Sequence, residues 1–169
     1  MRRLEFGLCA GMATVLSLLV TVAQAGEVAV DKVPNVILEK IKGRFAEATM
    51  TGAAKEKTPD GNEVYEITLE DKSLNNIDVT VTPEGAILLI EQQISRKDLP
   101  AVVAKTLEDK YPKSRYRIVE QLIEVDGEKE TLTSYEVLLV TPKKQLWAVQ
   151  LDLEGKIMLA EEKSEDEDD

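Results

Sequence analysis

The chain has 169 residues, with 32 Asp and Glu against 21 Lys and Arg, one cysteine and no histidine. A formal charge of −11 repels nucleic acid and anionic lipid, and it favours basic partners or plain solubility. The missing imidazole removes the commonest general base and the commonest metal ligand, so an enzyme here would have to use carboxylates, or Lys beside Ser or Thr.

The N-terminus reads as an export signal. Arg2 and Arg3 form a short basic start, an apolar run follows from Leu8 to Val22, and Ala23-Gln24-Ala25 supplies the small residues a signal peptidase reads. The run is about 15 residues, short of the roughly 20 that span a bilayer. Cleavage after Ala25 is expected, with a periplasmic or extracellular product and no stable membrane insertion after processing. Cys9 lies inside the leader, so the mature chain has no disulfide, thiol nucleophile or thiolate site. No cysteine stands at the cleavage point, which speaks against a lipoprotein.

The rest of the chain is written twice. Val33-Pro34-Asn35-Val36-Ile37 is echoed by Leu99-Pro100-Ala101-Val102-Val103. Tyr65-Glu66-Ile67-Thr68-Leu69 is echoed, at a slightly larger offset, by Tyr135-Glu136-Val137-Leu138-Leu139. The second copy is therefore four residues longer between its helix and its later strands. A helix is expected over 33–47, with Asp31 as N-cap, Pro34 in the first turn and Val33, Ile37, Ile41 and Phe45 on one stripe. A second is expected from Leu99, with Asp98 as cap, the stripe Leu99, Val103, Leu107 and Tyr111, and Pro112 ending it. Either stripe fits core packing or a partner-binding helix, and the apolar strands after each helix favour core.

Those strands alternate. Tyr65, Ile67 and Leu69 oppose Glu66, Thr68 and Glu70, while Ile77, Val79 and Val81 oppose Asp78, Thr80 and Thr82. A period of two belongs to an antiparallel sheet with one face packed and one wet. Pro59-Asp60-Gly61-Asn62 and Asp126-Gly127 read as hairpin turns, and Glu84-Gly85 and Glu154-Gly155 as another repeated turn. The expectation is an α+β fold: a tandem repeat of a helix packed on an antiparallel four-stranded sheet, α-β-β-β-β twice. The division is 1–25 leader, 26–96 first repeat, 97–161 second repeat and 162–169 acidic disordered tail.

The outward faces of the copies differ. The first is acidic and hydroxylated. The second carries Leu138, Val140, Leu146 and Ala148, with Met158 a possible neighbour. A sheet apolar on both sides needs a second cover, supplied by the other repeat, a homodimer or a foreign partner. Leu138, Val140 and Leu146 are the candidate partner-binding residues. Trp147, the sole tryptophan, falls on the inward face where the first copy has Ile77, which suits core better than a binding anchor. The terminal run Glu161 to Asp169 has no apolar residue; it lacks the glycine turn and ligand spacing of a calcium loop. No catalytic, metal or cofactor site is expected.

The segments VPNVILEKIKGRF, PDGNEVYEITL and IDVTVTPEGAILL, followed by LPAVVAKTLEDKYP, YEVLLV and WAVQLDLEGKIML, resemble the PepSY-like family of secreted bacterial proteins, which is related in fold to the β-lactamase inhibitory protein. The resemblance covers nearly all of residues 30–162. It implies a helix on an antiparallel sheet, in tandem, and a non-catalytic exported role. Regulation or inhibition of an exported peptidase is the partner chemistry it suggests, and it carries over no inhibitory residues. The alternative is an envelope protein that binds a small ligand or cation on its acidic surface. The leader reading has a direct check: intact-mass measurement of the exported protein should give an N-terminus at Gly26, and a product retaining Cys9 would mean an anchored form.

Overall fold

The computed structural model describes residues 26–58 and 60–163, so the leader, Pro59 and residues 164–169 of the acidic tail lie outside the described residues. The strands are β1 (Gly26–Glu27), β2 (Thr49–Lys57), β3 (Glu63–Glu70), β4 (Asn76–Val81), β5 (Ile87–Gln93), β6 (Arg115–Asp126), β7 (Lys129–Val140), β8 (Leu146–Asp152) and β9 (Ile157–Lys163). Helix α1 (Asn35–Arg44) precedes β2 and helix α2 (Ala101–Lys110) precedes β6. Short 3-10 turns at Val30–Lys32 and Arg96–Asp98 lead into the helices.

All the strands belong to one sheet, in chain order, each antiparallel to the next. This corrects the expected pair of helix-on-four-strand units. Among the described residues the fold is mostly a single nine-stranded antiparallel sheet with two helices of 10 residues each. The cause is β5. Left as the last strand of a four-stranded unit, it would expose a row of unpaired N–H and C=O groups. Instead β6 pairs along it from Leu89↔Glu124 to Gln93↔Glu120.

The equivalence of β1 and β5 shows why the repeat joins this way. The offset that carries Val33 onto Leu99 also carries the pairs Gly26↔Lys55 and Glu27↔Ala54 onto Gln92↔Gln121 and Gln93↔Glu120. Val28 N–H donates to Ala53 O at 2.9 Å, and Ile94 N–H donates to Val119 O at 2.8 Å. So β1 is a short counterpart of β5, and β5 serves twice: it ends the first half and begins the second. Local detail repeats as well. Leu74 and Lys144, at equivalent places in the two copies, both take positive φ, at 63° and 64°.

The helices start later than the periodicity suggests. A residue before proline is pushed out of the α region, and Val33 and Leu99 are both extended, at ψ 135°. Pro34 and Pro100 stand at the N-cap positions, and Asp31 and Asp98 lie in the 3-10 turns rather than capping a helix. Val33 and Leu99 are still buried, so the apolar stripe survives the change of backbone.

Each helix covers its own half. Ile37 and Ile41 pack with Ile67, Leu69, Ile77, Val79 and Val81. Val103 and Leu107 pack with Val137, Leu139, Val149 and Leu151. Trp147 is partly buried against this second core, with its ring 5.8 Å from that of Tyr111. Between the cores, on the same face, Gln121 donates from Nε2 to Gln92 Oε1 at 2.8 Å. The extra residues of the second copy lengthen the β6–β7 hairpin to 12 residues per strand. Its tip reaches back: Ile123 and Val125 pack against the first core, and Glu130 pairs with Arg44 of α1. Strand β9 runs on through Glu162 and Lys163, so the ordered sheet extends past the expected boundary at 161.

The repeated Glu-Gly turns lock the helix starts. Gly85 and Gly155 have φ of 88° and 80°. A Cβ on Gly155 would lie 2.9 Å from Val102 O, and one on Gly85 would lie 3.1 Å from Val36 Cγ2. These turns therefore need glycine twice over, for the backbone and for the close approach to the first helical turn. Gly61 has φ 82°, but a Cβ there would meet nothing within 4 Å. Urea melts should show Gly155→Ala costing clearly more than Gly61→Ala, which carries only the left-handed penalty of about 1–2 kcal/mol. Ile41→Ala and Leu107→Ala should each cost about 2–5 kcal/mol, because both empty fully packed volume under a helix.

Candidate functional site

The strand register puts both helices on one face of the sheet. Ile67, Val79, Ile90 and Ile123 follow one another across β3 to β6, and Gln92, Gln121 and Tyr135 carry the same face onto β7. The opposite face is covered by neither helix, and the candidate residues lie there. Val140 sits directly opposite Leu146, and Leu138 opposite Ala148. Leu138 and Val140 are half-buried and Leu146 is 3% exposed. The structure thus brings the three together as one apolar cluster on two adjacent strands. Met158 is exposed beside a register shift in the β8–β9 pairing.

This face is less wet than simple alternation suggests. Thr80, Leu89, Leu122, Ser134 and Gln150 are all buried on it. Gln150 donates from Nε2 to Ser134 Oγ at 2.9 Å, which gives each side chain a partner.

Beside the apolar cluster runs a band of carboxylates. Glu66 on β3, Asp78 on β4, Glu91 on β5, Glu120 on β6 and Glu136 on β7 all lie on this face. Asp78 is directly opposite Glu91, and Glu120 directly opposite Glu136. Like charges in such positions oppose the sheet when both are ionised. The face therefore favours their protonated forms. Burial, then the charge of Glu120, pushes Glu91 up to about 9. Burial, then Glu56, raises Glu66 to about 7, and burial, then Asp78, raises Glu120 to about 7. Burial also raises Glu136, partly offset by Lys163, and Asp78, partly offset by a hydrogen bond with Thr68.

In the sequence, the acidic first face and the apolar second face belong to separate copies. That they form one surface is not visible there, because Glu91 and Glu120 become neighbours only through the β5–β6 pairing. The available signal is the Tyr-Glu pair repeated at 65–66 and 135–136, which puts Glu66 and Glu136 on one side.

A cleft of about 730 Å³ lies between α1 and the β6–β7 tip, lined in part by Lys40, Arg44, Gly85, Ile87, Val125 and Glu128. Among the described residues, no group of three His, Cys, Asp or Glu side chains is placed to hold a metal ion, and no helix is long and apolar enough to cross a membrane.

Several solved structures share this fold. A BLIP-like protein from Bacteroides fragilis aligns with a TM-score of 0.56 at 13% identity, covering 80% of this chain and 90% of that one. A DUF2874 family protein from Bacteroides uniformis aligns at 0.58 and 11% identity, covering 76% and 88%. A Bacteroides eggerthii structure described as "putative periplasmic proteins" aligns at 0.59 and 11% identity, again covering 76% and 88%. No curated protein matches the chain in sequence. The family described as "Putative beta-lactamase-inhibitor-like, PepSY-like" matches twice in succession, over residues 19–89 and 88–158. The second match opens inside β5, the strand that the two halves share. With two consecutive matches over most of its length, the chain belongs to the PepSY-like family.

Proposed function

We propose that this protein is a non-catalytic, exported binding module that engages a protein partner through the helix-free face of its sheet. The observation that carries this reading is the continuity of that face: the apolar cluster of Leu138, Val140 and Leu146 adjoins the carboxylate band through Glu136, two residues along β7 from Leu138. Apolar contacts of this kind supply interface energy, while a Lys or Arg side chain set against the band favours the ionised form of its carboxylates and so selects the partner. The partner is a protein with an apolar patch beside Lys or Arg side chains. An exported peptidase is the candidate that the family resemblance suggests. A periplasmic location is supported by the leader-like N-terminus and by the description of the B. eggerthii structure.

Immobilised protein should capture this partner from periplasmic extract. Leu138→Asp combined with Val140→Asp should abolish capture while the far-UV circular dichroism stays native, and Leu138→Ser alone should weaken it. Undiminished capture by the folded double variant would place the interface elsewhere.

The carboxylate band also predicts a pH dependence of stability. Its members hold protons more tightly when folded than unfolded, so the folded state binds more protons between about pH 4.5 and 9. The resulting stability is fully present below the ordinary glutamate range and is lost progressively as pH rises from there through 7 to 9. Urea stability should fall by more than about 1 kcal/mol between pH 5 and pH 9, since a tenfold change in proton affinity corresponds to about 1.4 kcal/mol. Glu91→Gln with Glu120→Gln should flatten this profile. Glu108→Gln, on the exposed side of α2, should leave it unchanged.

A further inference from the structure

Strand β9 stands in the second half where β5 stands in the first. The offset that carries Tyr65 onto Tyr135 also carries Leu89, Ile90, Glu91, Gln92 and Gln93 onto Leu159, Ala160, Glu161, Glu162 and Lys163. In the first half that strand is paired on both sides, with β4 and with β6. In the second half, among the described residues, β9 pairs with β8 alone and ends the sheet. Main-chain groups along an antiparallel strand alternate in direction. Ile94 N–H donates to Val119 O, so Gln92 and Ile90 also turn their N–H and C=O groups toward β6. Ala160 and Glu162 hold those places on β9. Their main-chain groups therefore point away from β8, and both residues are exposed.

We propose that the outer edge of β9 is a strand-addition site for an extended polypeptide segment bearing lysine or arginine side chains, docked antiparallel as β6 docks on β5. The molecule already shows that this strand position accepts a second neighbour. Backbone pairing supplies the affinity of such additions and the alternating side chains supply the selectivity. Charge decides the partner. Glu161 and Glu162 are exposed on β9; Glu161 pairs with Lys163 at 2.9 Å and Glu162 accepts from Gln145 Nε2 at 3.0 Å, so both carboxylates are held at the edge and the strand keeps a net negative charge. A second copy is the poorer occupant. Its own β9 brings the same acids, and its β2, the counterpart of β6, is already paired with β1 at Ala54 and Lys55. The edge adjoins the helix-free face, where Glu161 lies opposite Ala148 and Lys163 opposite Leu146, but strand addition uses the outward main-chain groups of Ala160 and Glu162, so amide protection on β9 and capture through Leu138 and Val140 fail independently.

The probe is an end-blocked eight-residue peptide alternating Lys and Val, with a Glu/Val peptide as control. Titration into the full chain, followed by amide NMR and hydrogen exchange, should protect the Ala160 and Glu162 amides with the Lys/Val peptide and not with the control. Ala160→Pro removes one outward N–H from an edge strand, a position where proline is tolerated, and should weaken binding at least tenfold. Glu161→Lys with Glu162→Lys should reverse the preference toward the Glu/Val peptide, which keeps the test decisive if the proline variant misfolds. Absence of peptide binding, protection confined to other strands, or unchanged affinity in folded Ala160→Pro would overturn the proposal. Self-association that Ala160→Pro abolishes without any peptide would overturn the choice of occupant in favour of a second copy.

Discussion

The structure depends on β5 being hydrogen-bonded along both edges. Backbone N–H and C=O groups need partners, and an antiparallel sheet meets that need for every strand except the outermost two. Because β6 closes on β5, the two copies become one sheet and their helices share one face. The opposite face then runs without a break from the acidic first copy to the apolar second copy. The carboxylate band and its continuity with the apolar cluster follow from that single join.

Side chains reinforce the join. The lengthened β6–β7 hairpin packs Ile123 and Val125 against the first core and pairs Glu130 with Arg44, so the second copy helps to bury the first helix. The Gln92–Gln121 hydrogen bond bridges the polar strip between the two cores. The turns at Gly85 and Gly155 fix each helix start against its own half. These contacts are local to one copy or shared between both. The shared contacts argue that neither half is an independent unit.

Much of the fold was legible because it was periodic. The stripe of Ile37 and Ile41, the alternation of Ile67 and Leu69, and the paired glycines all report short-range geometry. The helix starts are not legible because Pro34 and Pro100 act on the residue before them, and an apolar stripe does not show that Val33 and Leu99 lie outside the helix while staying buried. The single sheet is hidden for a different reason. Nothing within either copy says whether β5 ends a unit or continues into the next, since that depends on pairing between Gln92 and Gln121, far apart in the chain. The carboxylate band was hidden by the same gap. Glu91 and Glu120 are ordinary glutamates until the register gathers them with Asp78 and Glu136.

The most direct test of a single shared sheet is whether the two halves unfold together. Trp147 is the only tryptophan and reports on the second half, while amide exchange at Ile67 and Val79 reports on the first. Followed through one urea titration, the two signals should share a midpoint, because losing either half strips β5 of a neighbour. Two separated midpoints, with the first-half amides still protected after Trp147 fluorescence has reached its unfolded value, would show that the join at β5 does not hold the molecule together.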